Sequence, residues 1–272
     1  MSDEQYFPKG DLLKGKRGLV MGVANKNSIA WAISQQLAAQ GAELCFSYID
    51  AMEKRVRPLA EELGVEFLVP CDVASDASMD EAFAEIQKKW GKIDFLVHSI
   101  AFSDKDELKG SFVENTSRAN FAQSMDISVF SFVDAAKRAS AMMDAGGAMI
   151  TLTYLGAERV IPSYNVMGVA KAALESATRY IARDLGPKGI RVNAISAGAI
   201  KTLSLGGISG GRSLLGEGRK WAPMREDTNP AGVAGAALYL LSDLGRSCTG
   251  EVLHVDAGFH IVGMPDPDAF DD

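Results

Sequence analysis

Residues 18–40 read GLVMGVANKNSIAWAISQQLAAQ, and three patterns follow one another within them. Residues 18–21 form a short unbroken apolar run. A glycine opens a polar turn at 22–27. From Ser28 onward apolar residues recur at helical spacing, with Ile29, Ala32, Ile33, Leu37 and Trp31 on one side. A strand without polar alternation is one buried on both faces, as in a parallel sheet covered by helices. The same alternation runs on through the chain. Strand-like runs lie at 44–48, 66–70, 93–98, 148–153, 191–196 and 251–255, and helical patterns at 52–63, 78–90, 121–143, 163–185 and 230–241. Strand–helix repetition with short connections predicts an α/β fold: a single-domain, Rossmann-type, doubly wound sheet of seven parallel strands with helices on both faces. No linker or short repeat divides residues 1–272.

Composition narrows the function. The formal charge is −7, and the longest unbroken runs of lysine or arginine are only pairs, such as Lys88-Lys89. A polyanion such as nucleic acid is therefore not an expected partner. Cys45, Cys71 and Cys248 are odd in number and widely spaced, which argues against a disulfide framework or a zinc site. His98, His254 and His260 are dispersed and are read as structural, so no metal is expected. No signal peptide and no long apolar span is visible, consistent with a reducing cytoplasmic location and no membrane association. The acidic, proline-punctuated stretch 264–272 reads as a frayed tail.

In open parallel sheets, ligands bind at the carboxyl ends of the strands, near the point where strand order reverses. After the first strand, Gly22 leads through Ser28 and Ile29 into a helix. Such a turn either simply connects two elements or offers free N–H groups and the positive helix end to a pyrophosphate. Asp72 and Val73 follow the third strand, and Ser99 and Ile100 the fourth. A carboxylate after the third strand suits an adenine amino group, and small residues after the fourth let backbone approach a ribose. At the end of the second strand, Asp50 either binds ribose hydroxyls, which selects NADH, or faces solvent. Lys54 and Arg55, one turn on, would instead favour the 2′-phosphate of NADPH. NADH is the favoured reading.

After the fifth strand come Tyr154 and then Tyr164, with Lys171 seven residues later. That spacing places Tyr164 and Lys171 two turns apart on one helix face. A phenol is a weak donor at neutral pH, and a nearby ammonium favours its phenolate character. The bare spacing also fits two unrelated surface residues; its place after the fifth strand of a dinucleotide sheet is what gives it chemical meaning.

At these residues the sequence resembles the bacterial enoyl-[acyl-carrier-protein] reductases, a divergent branch of the short-chain dehydrogenases. The matching stretches are GVANKNSIAWAI, CDV, VHSIAF, TLTYLGAERVIPSYNVMGVAK, GIRVNAISAGAIKTL and TGEVLHVDAGF, spread from about residue 10 to 262. The arrangement Tyr154, nine residues, Tyr164, Met167 and Lys171 is much more specific than the general Tyr-x-x-x-Lys of the superfamily. The resemblance implies NADH-dependent reduction of a trans-2-enoyl thioester on acyl carrier protein in fatty-acid elongation, by a homotetramer. It implies that Tyr164 donates to the developing enolate oxygen, that Lys171 holds the nicotinamide ribose and that Tyr154 orients substrate. Gly22, Ser28 and Ile29 would form the pyrophosphate turn, Asp72 and Val73 the adenine contacts, and Ser99 and Ile100 a ribose-side contact. Ile200, Lys201, Thr202, Leu203 and Ser204 would meet nicotinamide and phosphates, and Ser103 the substrate. Residues 203–219 match the mobile substrate-covering segment in position, though they are richer in glycine and poorer in basic residues than is usual in the family. Ile49 stands where family members often carry Gln.

Two other functions fit parts of the pattern. A 3-ketoacyl reductase or alcohol dehydrogenase commonly has a Ser thirteen residues before the catalytic Tyr, and Thr151 holds that place here. A non-catalytic dinucleotide sensor would not need Tyr164 and Lys171.

Overall fold

The computed structural model describes residues 7–201, 216 and 218–264. Seven strands, β1 (Arg17–Met21), β2 (Glu43–Tyr48), β3 (Phe67–Pro70), β4 (Phe95–His98), β5 (Ala148–Thr153), β6 (Arg191–Ala197) and β7 (Val252–Val255), form one sheet in the order β3-β2-β1-β4-β5-β6-β7. Every neighbouring pair is parallel. Order reverses between β1 and β4, so the crevice expected of a doubly wound sheet falls there.

The alternation of side chains sorts the strands between two cores. Val20, Phe46, Val97 and Ile150 pack on one face with α1 (Ile29–Ala39), α2 (Glu53–Leu63) and the C-terminal helix Pro230–Leu241. Leu19, Met21, Cys45, Leu96 and Met149 pack on the other with α3 (Asp76–Trp90) and later helices. Both Cys45 and Cys71 are buried there as small apolar groups, and burial pushes both thiols above their ordinary range. Serines start α1 and α3. Ser28 caps α1 by accepting from the Trp31 N–H, and Ser75 caps α3 by accepting from the Ser78 N–H. Each such cap contributes roughly 1 kcal/mol.

The long helix expected at 121–143 begins earlier and is interrupted. Ser117 caps α4 (Arg118–Met125), a π-turn follows at Asp126–Phe130, and α5 (Ser131–Ser140) completes the run. The extra residue in the π-turn accompanies a specific contact. Ser128, fully buried, accepts from the Phe102 N–H at 3.0 Å and donates to the Phe102 carbonyl at 3.2 Å. Of the apolar residues expected on this helix, Phe132 is buried but Phe130 and Val133 are exposed. The helix after β5, α6 (Asn165–Leu185), starts two residues later than the pattern at 163–185 suggests. Tyr164 is its N-cap, flanked by Ser163 (φ 60°) and Asn165 (φ 39°). Pro230–Leu241 is α7, capped by Asn229. None of the described helices is long and apolar enough to cross a membrane.

Candidate active site

A cavity of about 660 Å³ opens at the carboxyl ends of the strands across the β1/β4 reversal. That volume lies within the range of cofactor and ligand clefts, about 300–1,000 Å³. One end is walled by backbone turns. Gly22 follows β1 with φ 103°, and a Cβ there would lie 2.1 Å from the Ser99 carbonyl oxygen. Only glycine allows the two strand ends to approach this closely. The turn then runs through Val23, Ala24 and Asn25 to Ser28, whose hydroxyl donates to the Asn25 carbonyl at 2.7 Å. It ends at the N-terminus of α1, where unpaired N–H groups and the helix dipole favour an anion. Ser47, Tyr48, Ile49, Met52 and Cys71 complete this end. Gly22, Ser28, Ile29, Ser99 and Ile100 are all brought together in the wall, a cradle that suits a dinucleotide.

The next part of the wall is the loop after β4: Ile100, Ala101, Phe102, Ser103, Lys105 and Leu108. Buried side chains of the α4–α5 run hold it. Ser128 grips Phe102, while the Asn120 side chain donates to Ser103 Oγ at 3.1 Å and accepts from the Asp104 N–H at 2.8 Å.

The far end is made of side chains. Tyr154 and Tyr164 meet edge to face with ring centroids 5.0 Å apart, and Met167, Lys171, Thr153 and residues 197–200 close the wall. Gly156 backs the Tyr164 ring: a Cβ there would fall 2.4 Å from a ring carbon. Burial, with Tyr154 beside it, pushes the Tyr164 phenol well above its usual range. The expected phenolate character is not favoured in this environment, because burial and the neighbouring Tyr154 both act against the charged form. Tyr164 keeps its proton at neutral pH and is a hydrogen-bond donor. Lys171, also buried, donates from Nζ to the Leu152 carbonyl at 2.7 Å. Burial pulls its ammonium down to about 8, and Glu175 opposes that shift.

Several expected site residues lie outside the wall. Cys71 lines it, but Asp72 is exposed and its carboxylate accepts from the Ala74 N–H at 3.0 Å. Val73 packs partly into the core, and Lys201 is exposed at the rim. Thr202, Leu203 and Ser204 lie outside the described residues, as do most of 203–219 and all but Met264 of 264–272. Thr151, the residue in the dehydrogenase-like position, is fully buried and within 3.2 Å of His98 Nδ1. His98 Nε2 lies 2.8 Å from the Ser131 hydroxyl, which itself donates to the Ile127 carbonyl at 2.7 Å. Nε2 is then the protonated nitrogen and Nδ1 accepts from Thr151. Burial and the charge of Lys171 hold His98 down at about 3, so it is neutral. His254 and His260 stack, 4.1 Å between ring centroids, and bond Glu158 and Asp256. The wall also contains residues that the sequence did not single out, notably Tyr48, Met52, Phe102 and Leu108. Tyr48 is the last residue of β2, a signal available from the strand pattern, and Met52 follows in the single helical turn Asp50–Met52. The other two come from an irregular loop that has no period to read.

A family model for enoyl-(acyl carrier protein) reductase matches residues 22–260. The chain belongs to the enoyl-(acyl-carrier-protein) reductase family. An enoyl-[acyl-carrier-protein] reductase [NADH] of Rhizobium meliloti is 56% identical over 255 residues, covering 93% of this chain and 95% of that protein. Among solved structures, the family member from Anaplasma phagocytophilum, crystallised in complex with NAD, has a TM-score of 0.91 at 50% identity, covering 96% of this chain and 97% of that one. The Bacillus cereus enoyl-acyl carrier protein reductase, solved with NADP+ and indole naphthyridinone, has a TM-score of 0.91 at 48% identity, covering 93% and 100%. The family model spans both ends of the cavity, from Gly22 to residue 200.

Proposed function

We propose that this chain reduces trans-2-enoyl thioesters carried on acyl carrier protein, with NADH, in the last step of the fatty-acid elongation cycle. The observation that carries the proposal is the pair of phenols, Tyr154 and Tyr164, over a dinucleotide-sized cavity whose far end also holds the buried Lys171. The Rhizobium relative's name supports the substrate and the cofactor.

When bound, NADH supplies hydride to the β-carbon of the substrate. The turn from Gly22 to Ser28 and Ile29 would hold the pyrophosphate, Asp72 and Val73 the adenine end, and Ser99 and Ile100 a ribose. Lys171, an ammonium below about pH 8, would hold the nicotinamide ribose hydroxyls. Tyr164, neutral and buried, would donate to the thioester oxygen as negative charge develops there; a donor fixed in a water-poor site stabilises that charge strongly. Tyr154 and Ser103 would orient the acyl thioester. Ile200 would meet the nicotinamide from its place in the wall. Exposed Phe121, Phe130 and Val133, together with the stretch 255–262, are apolar surface suited to burial in a homotetramer, and a cytoplasmic location accords with the buried thiols.

Oxidation of NADH followed at 340 nm with crotonyl-CoA and longer enoyl thioesters tests the reaction. Turnover of the enoyl compounds and not of the matching 3-ketoacyl thioesters is expected, with Tyr164→Phe losing roughly 100-fold or more in kcat while still binding NADH. Turnover of the keto compounds alone would refute the proposal. A parallel NADPH series, prompted by the NADP+ in the Bacillus cereus structure, is expected to give the lower kcat/KM.

A further inference from the structure

Glu175 is a buried acid on the inner face of α6, 7% exposed, and the chemistry above does not use it. It lies one helical turn beyond Lys171, so the two side chains point to the same side. Each grips the end of β5. Glu175 accepts from the Thr153 hydroxyl at 2.7 Å, and Lys171 donates to the carbonyl of the preceding residue, Leu152, at 2.7 Å. Two adjacent residues of the strand are thus tied to two successive turns of the helix, immediately before Tyr154. We propose that Glu175 is a positioning residue: through Thr153 it fixes the end of β5, and from one helical turn away it sets its carboxylate behind the Lys171 amine that binds the nicotinamide ribose.

The electrostatics agree with the geometry. Burial acts against the charge on Lys171, and Glu175 acts for it. Burial also raises the Glu175 carboxyl above the ordinary carboxylate range. The bond from Thr153 pulls it back, as do Arg179 on its own helix and His254 on β7, while Glu158 after β5 pushes it up. His98 on β4 feels the charge of Lys171 and is neutral, and the phenols of Tyr154 and Tyr164 in the same wall are held above their ordinary range. A neutral isostere at 175 removes the opposing charge and leaves the hydrogen bond in place.

The inference rests on the proposed role of Lys171, and the experiment separates the two. NADH affinity of the free protein is titrated by fluorescence between pH 6 and 10, in parallel with enoyl turnover. Wild type is expected to lose affinity as pH rises through about 8, where Lys171 loses its proton. Glu175→Gln should move that limb down by roughly half a pH unit or more. Glu175→Asp keeps the charge but shortens the reach to Thr153; it should leave the limb nearly in place and lower kcat. Superimposable limbs for wild type and Glu175→Gln, or an equal shift in Glu175→Asp, would overturn the proposal. If Glu175→Gln does not fold, Thr153→Val takes its place: it keeps the charge and removes the bond, so it should leave the limb nearly in place and lower kcat, and an unchanged kcat counts against the role. A wild-type protein with no alkaline limb at all would sink the assignment of Lys171 and with it this inference, whereas a normal limb that Glu175→Gln does not shift would sink only the latter.

Discussion

The cavity is built by opposite means at its two ends. Around β1 and the start of α1 the wall is backbone: Gly22, a capped turn and a helix N-terminus, with few ionisable groups. Around β5 and α6 it is side chains, two phenols and an amine driven out of water, all three with displaced proton affinities. A backbone site is sensitive to added atoms, because its partners are carbonyls and amides that cannot rotate away. A side-chain site is sensitive to removed groups and to pH, because its energetics come from desolvated charge and proton donors.

The largest expected effect tests the backbone end. In Gly22→Ala the new methyl would collide with the Ser99 carbonyl at 2.1 Å, at a φ that L-residues rarely adopt. A loss of roughly 3 kcal/mol of stability is expected in denaturant melts, along with loss of measurable NADH binding. Unchanged binding would show that the turn does not form the cradle.

Lys171→Met tests the other end, and here stability and binding should move in opposite directions. A lysine whose folded-state pKa of about 8 lies below its unfolded value of 10.5 destabilises the fold at neutral pH, and that penalty fades as pH rises from about 8 to 10.5. The variant should therefore melt higher than wild type at pH 7, by at most about 3 kcal/mol less the lost bond to Leu152, with the gap closing toward pH 10. It should also bind NADH poorly. A variant that melts lower at every pH would mean that Lys171 serves the fold first.

The smallest effect sits where the two kinds of construction meet. Gly156 is a backbone element that seats a side chain, and Gly156→Ala should push the Tyr164 ring aside. About a tenfold fall in kcat is expected, with NADH affinity retained, since a small misplacement of a reacting group is enough to slow the chemistry. A loss of affinity equal to the loss of kcat would place Gly156 in the fold of the cavity as a whole.

Much of this was legible along the chain because it is local. Seven apolar runs and their intervening periodicities read as seven parallel strands, since burial on both faces leaves its mark within each strand. Ser28 as a cap and Gly22 as a turn follow from short-range rules, and the Tyr154, Tyr164 and Lys171 pattern carries the family resemblance. Where the reading of the helices missed, the cause was a contact with a distant segment or an unusual local backbone. The π-turn at 126–130 goes with the bond from Ser128 to Phe102, 26 residues away. Tyr164 is a cap and not a helix interior because two left-handed residues flank it.

The order of elements, the strand-end positions of the candidate site and the residue types that carry its chemistry were determined by the sequence alone, because each depends on neighbours within a turn or two. Tertiary structure alone decided the protonation of those groups and the company they keep: Tyr164 held neutral, Lys171 brought close to neutrality, Glu175 set behind it. Desolvation and charge act through space, and the solvent each group loses is set by segments that meet only when the chain is folded.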